Sequence, residues 1–408
     1  MRILPVLLAI LGATGLATPG ALAQARISDN VVKIGILNDQ SGMYADQGGA
    51  GSVVAAQMAV EDFGGKVLGA PIVIVSADHL NRPDVALAIA GRWYDTEQVD
   101  AIMDVPTSSV ALAINDLSRQ KNRIAVFTGP GSSDLTGKGC SLTGFHWMYD
   151  TYALAAGTAK ALVKQGGDTW FFITADFAFG HAMERDATKF VLDGGGKVLG
   201  AVRHPMNSSD FASYLIQAQA SGAKIVALAN GGSDMMTATK QASEFGFGRG
   251  GQRLAAMLAF ITEIESMGLQ SAQGLILTTA FYWDMNAETR AWSRRFMERY
   301  HGKPPTMPQA GVYSAIGHYL KAIQAAGTDE AQAVAAKMKE LPLNDMTAKN
   351  VKIREDGRVL REMYLMQVKS PAESRYAHDD YKLLSVIPPV DAWRPLEEGG
   401  CPFVKTRG

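Results

Sequence analysis

Two short loops carry the residue types best suited to chemistry. Pro106-Thr107-Ser108-Ser109 opens a stretch with helical spacing, and Gly129-Pro130-Gly131-Ser132-Ser133-Asp134 follows a short apolar run. Free amide groups at a helix start, helped by Ser or Thr hydroxyls, neutralise a carboxylate without a lysine. Plain helix capping uses the same residues and stands as the alternative. Other motifs fail on context. Gly246-Phe247-Gly248-Arg249-Gly250-Gly251 satisfies G-x-G-x-x-G as a string, but the dinucleotide fingerprint needs a strand before it and a helix after it. Here helical spacing precedes and an apolar run follows, so the glycines read as a loop. No G-x-x-x-x-G-K-[ST], H-E-x-x-H or G-x-S-x-G string is present. Histidines 79, 146, 181, 204, 301, 318 and 378 have no close metal-ligand spacing, so neither metal nor cofactor is expected. This chemistry fits a binder better than an enzyme.

Elements must hold those loops in place. Apolar runs at 31–37, 71–77, 101–105 and 124–128 read as buried strands, and helical spacing fills 52–63, 83–96 and 108–120. The alternation restarts with strands at 170–175, 198–203, 225–229, 254–258 and 274–279, and helices at 151–164, 180–192, 211–220, 234–245 and 262–267. Two successive βα series predict parallel sheets covered by helices on both faces. Past Ala280 the rhythm breaks into three helix-like segments at 287–300, 309–326 and 331–340. Two β-like runs follow, at 349–354 and 358–368 around a Glu355-Asp356-Gly357 turn, then a strand at 382–387 and a tail from 390 to 408. Eleven or twelve strands exceed one simple open sheet, which favours two lobes with the chain crossing between them more than once.

The 408 residues carry 39 Lys+Arg against 40 Asp+Glu, a balance that gives no electrostatic reason to expect a nucleic-acid partner. Hydrophobic residues at 47% and charged residues at 19% supply packed cores for two domains. Met1-Arg2, the apolar stretch 3–16 and Ala21-Leu22-Ala23 form a secretory signal pattern, so 1–23 is predicted to be cleaved and the mature chain to start near Gln24. No Cys follows to be lipidated, and no later window is apolar enough to span a bilayer. Cys140 and Cys401 are the only pair available, and export favours their oxidation. A disulfide tying the tail to the loop before Phe145 is expected; two unpaired thiols are the alternative.

The run Val32-Lys33-Ile34-Gly35-Ile36-Leu37-Asn38-Asp39-Gln40-Ser41-Gly42 resembles a specific family. It is similar to the periplasmic solute-binding proteins of branched-chain amino acid ABC transporters, the Leu/Ile/Val-binding type. Segments 51–65, 104–109 and 128–136 and the stretch Phe177-Ala178-Phe179-Gly180 extend the resemblance over essentially the whole mature chain. It implies an α/β fold of two Rossmann-like lobes (type I periplasmic binding protein) joined by a three-strand hinge. The corresponding division is 24–148 plus 281–360 for lobe 1, and 149–280 plus 361–408 for lobe 2. Hinge crossings are expected near Tyr149, Ala280 and Arg361. The resemblance also implies a monomer in the periplasm that hands a small molecule to ABC permease subunits in the inner membrane.

In an open parallel sheet, ligands sit outside the carboxyl ends of strands. The loops that leave those ends are 39–49, 106–109, 129–133, 176–179, 230–233 and 259–261. The family holds the ligand carboxylate on two of them, and the matching positions are Thr107, Ser108, Gly129 and Ser132. In amino-acid-binding members, a Glu and tyrosines surround the ammonium group. Aligning the loops puts Phe260 at the Glu position and Phe179 and Gln47 at two Tyr positions. A Phe cannot pair with an ammonium ion, and burying that charge alone is costly. Aromatic residues take over in Phe145–Tyr152 and Phe281-Tyr282-Trp283, which either line the cleft or pack the hinge. The expected ligand set is therefore Gln47, Thr107, Ser108, Gly129, Ser132, Tyr152, Phe179, Asn230 and Phe260. The favoured ligand is a small aromatic carboxylate, as in the subgroup that binds benzoates. A branched-chain amino acid, an amide such as urea, a ligand-sensing role beside a membrane receptor and an exported hydrolase are the rivals.

Overall fold

The fold was followed in a computed structural model that describes residues 27–247 and 251–404. The predicted signal segment and residues 248–250 of the glycine string lie outside the described residues.

The chain begins with strand β1 (Val32–Asn38), helix α1 (Gly49–Phe63), the two-residue β2 (Lys66–Val67), β3 (Ala70–Asp78) and α2 (Pro83–Asp95). It continues through β4 (Ala101–Asp104), α3 (Ser108–Gln120), β5 (Ile124–Phe127) and β6 (Gly144–His146). These strands form one sheet in the order β2-β3-β1-β4-β5-β6, parallel except for the β2–β3 pair. β4 and β5 are buried at every residue, as strands covered by helices on both faces must be. Gly35 in β1 has no room for a side chain, because a Cβ there would lie 2.4 Å from the Trp93 ring of α2.

The second series runs α4 (Thr151–Lys164), β7 (Thr169–Ala175), α5 (Ala178–Asp193), β8 (Lys197–His204), α6 (Ala212–Ala220), β9 (Ile225–Ala229) and α7 (Gly232–Glu244). It continues with β10 (Arg253–Ala256), the short helices α8 (Ile261–Met267) and α9 (Leu269–Ala272), and β11 (Ile276–Thr279). Its four-stranded parallel sheet has the order β10-β9-β7-β8. The chain then enters α10 (Ala287–Arg299), α11 (Met307–Ala326) and α12 (Ala331–Glu340), and α11 packs along α1 of the first lobe. It returns for β12 (Met363–Val368) and β13 (Tyr381–Ile387) and ends through α13 (Pro389–Ala392).

β11 was expected in the second parallel series, but it pairs antiparallel with β12 in a separate three-stranded sheet, β11-β12-β13, laid on α4. The strand expected at 358–368 starts only at Met363. Before it, Arg358 bridges His146 and Val359 bridges Ile353, and the Arg361 carbonyl accepts Trp393 Nε1 instead of a ladder partner. The segment 391–401 of the expected tail is not free: Trp393 is buried and Cys401 forms a disulfide with Cys140, while 405–408 lie outside the described residues.

Three stretches connect the lobes: 147–150 after β6, 280–286 after β11 and 360–362 before β12. Asp150 and Arg361 of these stretches are buried, and Arg358 lies just before the third. Arg358 is buried; it reaches the Asp150 carboxylate at 3.4 Å, and its guanidinium lies 4.2 Å from the centre of the Trp393 ring. Asp150 also caps α4 by accepting the Ala153 N–H at 2.8 Å. Among the described residues no helix is long and apolar enough to cross a membrane.

Candidate ligand-binding cleft

The carboxyl ends of the two parallel sheets face each other, and the loops leaving them meet. On the first lobe, β4 ends in two consecutive left-handed residues, Asp104 (φ 82°) and Val105 (φ 53°). This conformation is strained for a β-branched side chain, and it turns the chain sharply into the start of α3. The first amides of a helix have no intrahelical acceptor, so those of Ser108 and its successors are free to meet an anion. Ser108 Oγ accepts the Ser132 N–H at 3.1 Å, and Ser132 Oγ accepts the Asp134 N–H at 3.3 Å. Both hydroxyl protons therefore remain available to a ligand. Thr107 differs, because its hydroxyl donates to Asn81 Oδ1.

Gly129 packs on Pro106, where a Cβ would come within 2.8 Å of Pro106 Cα, so the two hydroxyl-bearing loops touch directly. Beneath them Asp104 is fully buried and accepts from Asn38 Nδ2 at 2.9 Å and Thr128 Oγ1 at 2.8 Å. Burial pushes its carboxyl pKa up, which favours the neutral form beneath these loops.

The second lobe supplies rings. Phe179 lies against Gly131 of the opposite lobe, with its ring 2.7 Å from where a Gly131 Cβ would stand. Phe260 meets Tyr149 edge-on with ring centres 6.1 Å apart, and the Tyr149 hydroxyl donates to the Gly129 carbonyl. Gly232, at φ 65°, approaches the Met43 carbonyl and the Tyr44 ring from across the cleft, leaving 2.9 Å for a Cβ against Tyr44. At the edge, Ser133 Oγ of the first lobe donates to Asp186 of the second at 2.7 Å and accepts from Arg185 at 2.7 Å. The lobes are closed on each other.

The expected residues divide accordingly. Ser108, Gly129, Ser132, Phe179 and Phe260 are brought together at the meeting loops, with Thr107 beside them and engaged to Asn81. Asn230 is fully buried at the end of β9; its Nδ2 contacts His204 Nε2 at 3.0 Å and its Oδ1 has no partner. Gln47 is buried with Oε1 unpartnered, and its carbonyl is held by Thr306 at the start of α11. Tyr152 is not brought to the others, since its ring packs on Phe190 of α5 with centres 4.8 Å apart.

Two residues escaped sequence reasoning, Tyr44 and Glu263, and Tyr149, read as part of an aromatic run that either lines the cleft or packs the hinge, was left out of the expected ligand set. Glu263 is 3% exposed, and its Oε2 accepts the Phe260 N–H at 3.0 Å. Burial, with Asp46 adding, raises its pKa from 4.5 to about 8. Burial also pushes up the Tyr44 phenol, with Asp234, Glu263 and Asp39 contributing. Glu263 three residues after Phe260 is the spacing of a capping box, a signal hidden because Phe is not a usual cap. Among the described residues, no group of three or more His, Cys, Asp or Glu side chains is placed to hold a metal ion.

Two parallel α/β lobes that close on facing loops define a type I periplasmic binding protein. The chain belongs to the periplasmic binding protein family, whose model matches residues 31–374. It is similar to a periplasmic binding protein of Burkholderia mallei, with 44% identity, a TM-score of 0.90, and coverage of 92% of this chain and 100% of that one. A Leu/Ile/Val-binding protein homolog 6 of Brucella melitensis biotype 1 is 25% identical over 335 residues, 79% of this chain and 84% of the relative. A solute-binding protein of an ABC transporter from R. palustris, solved with benzoate, shares the fold at a TM-score of 0.80 and 20% identity, covering 91% and 99% of the two chains.

Proposed function

We propose that this protein is the periplasmic solute-binding subunit of an ABC importer that captures a small aromatic carboxylate by lobe closure and passes it to inner-membrane permease subunits. The observation that carries the reading is the cluster of Tyr149, Phe179 and Phe260 at the Ser108 and Ser132 loops, with Tyr44 set against Gly232 across the cleft. The helix start and two free hydroxyl protons meet the carboxylate, and the rings meet a flat apolar body. Aromatic pairs add roughly 0.5–1.5 kcal/mol each beyond burial. The R. palustris protein solved with benzoate shows that this fold accommodates such a ligand. The lobes of this reading are 24–148 plus 281–360, and 149–280 plus 361–408 as expected from sequence, except that 394–401 is held on the first lobe, with rotation at the three connecting stretches. The protein works as a monomer and performs no covalent chemistry.

A branched-chain amino acid is the second reading, because Glu263 offers a buried carboxyl that an ammonium group would draw into its charged form. A thermal-shift titration with benzoate, 4-hydroxybenzoate and leucine separates the two. A ligand at about 100 times its Kd stabilises by roughly 2.7 kcal/mol. The benzoates are expected to raise Tm and leucine to leave it unchanged. A shift with leucine alone overturns the aromatic reading.

A further inference from the structure

The C-terminal segment leaves the second lobe and ends on the first. α13 packs on α4, with Ala392 fully buried. Trp393 follows, its Nε1 donating to the Arg361 carbonyl at 2.7 Å and its ring face covered by the Arg358 guanidinium. One residue later the chain is held by the first lobe. Arg394 Nη2 donates to the Ser133 carbonyl at 2.8 Å, and the Arg394 carbonyl accepts Arg354 Nη1 at 2.7 Å. Gly137 leaves room for this contact, because a Cβ there would stand 2.6 Å from both Arg394 Nη2 and the Gly399 carbonyl. The Cys401–Cys140 disulfide, with Cα atoms 5.7 Å apart, then fixes the segment covalently to the loop before β6.

Two residues therefore separate an anchor on α4 from an anchor on the first lobe. Two residues of extended chain reach at most ~7 Å. We infer that residues 389–401 form a disulfide-locked strap, a fourth connection between the lobes that limits how far the cleft opens. Hydrogen bonds alone would let 394–401 peel away as the lobes part, since water competes for their partners. The disulfide removes that freedom, and rotation is confined to axes that keep Trp393 close to its seat over Arg358. Ser133 belongs to both arrangements: its carbonyl holds the strap and its hydroxyl meets Asp186 across the closed cleft. The strap thus keeps the ligand-free protein near the closed geometry and lessens the rearrangement that binding must complete.

The inference rests on the proposed lobe rotation, and the test separates the two. Small-angle scattering compares the ligand-free native protein with Cys140→Ser/Cys401→Ser, well below the variant's melting onset, with circular dichroism to confirm folding. A native sample reduced with dithiothreitol and capped with iodoacetamide gives the same comparison if the variant does not fold. A larger radius of gyration in the unlocked forms is expected, with a several-fold loss of affinity for whichever of benzoate or leucine raises Tm. Saturation should bring both forms to the same compact radius. Equal ligand-free radii, with only Tm lowered, would overturn the strap and leave lobe closure standing if ligand still compacts both forms. No compaction by ligand in either form overturns the rotation and the strap with it.

Discussion

Glu263 lies at the junction of α8 and the cleft, and its environment makes a measurable pH signature. Its carboxyl titrates near 4.5 in the unfolded chain and is pushed to about 8 in the fold. Between those values the unfolded chain has released a proton that the folded chain retains, so this residue lowers stability as pH rises and adds no further slope above pH 8. Glu263→Gln keeps an acceptor for the Phe260 N–H and removes the titration. Its Tm should fall less steeply than that of the native protein between about pH 5 and pH 8, as calorimetry would read. Asp100, raised by burial to about 7, leaves part of the slope in both proteins. Parallel Tm curves would contradict the assignment. The same residue marks the limit of sequence reading. Ser108 and Ser132 were legible because small hydroxyl residues at a helix start have a chemical reason to be there. Tyr44 was not, since the 39–48 loop has no period that fixes which residue faces inward. Tyr149 and Tyr152 sit in one aromatic run, and only the start of α4 at Thr151 decides which of them faces the cleft.

Helix α3 does more than cover its sheet: its start and the neighbouring loop after β5 touch and form one edge, which the proposed function assigns to the ligand carboxylate. Thr107 donates its hydroxyl hydrogen bond to Asn81 Oδ1, which leaves Ser108 and Ser132 as the hydroxyl donors of that edge. Hydrogen bonds to a charged group contribute roughly 1.5–3 kcal/mol. Ser108→Ala with Ser132→Ala should therefore weaken carboxylate binding by at least tenfold in calorimetric titration while circular dichroism stays native. Unchanged affinity would mean that the carboxylate is held elsewhere. Most elements were legible at this scale, since Ile225–Ala229, Thr151–Lys164 and Ala331–Glu340 follow directly from period and punctuation. β6 was not, because its three residues are too few to show a period. β11 was read as a strand but given the wrong sheet. Apolar alternation sets that a strand forms, whereas the antiparallel partner β12 lies far along the chain, beyond three helices.

At the scale of the whole molecule, function depends on two lobes that meet through a few close approaches, and Gly131 against Phe179 is one of them. A Cβ at Gly131 would stand 2.7 Å from the Phe179 ring, which belongs to the other lobe. Packed interfaces resist such overlap, and an added side chain forces either local distortion or separation of the surfaces. Here separation is available within the limit the strap sets, because the connecting stretches can rotate without unfolding either lobe. Gly131→Val should thus leave the ligand-free fold and its Tm close to native while holding the cleft ajar. A ligand shifts an equilibrium only by its differential contacts with the two states, so a wedge that blocks the closed state removes that difference. Ligand affinity should fall, and the radius of gyration should no longer shrink on saturation. Gly131→Val/Phe179→Ala frees the space again and should restore compaction, though at reduced affinity because a ring is lost. Normal compaction of Gly131→Val alone would show that the lobes do not close on this contact.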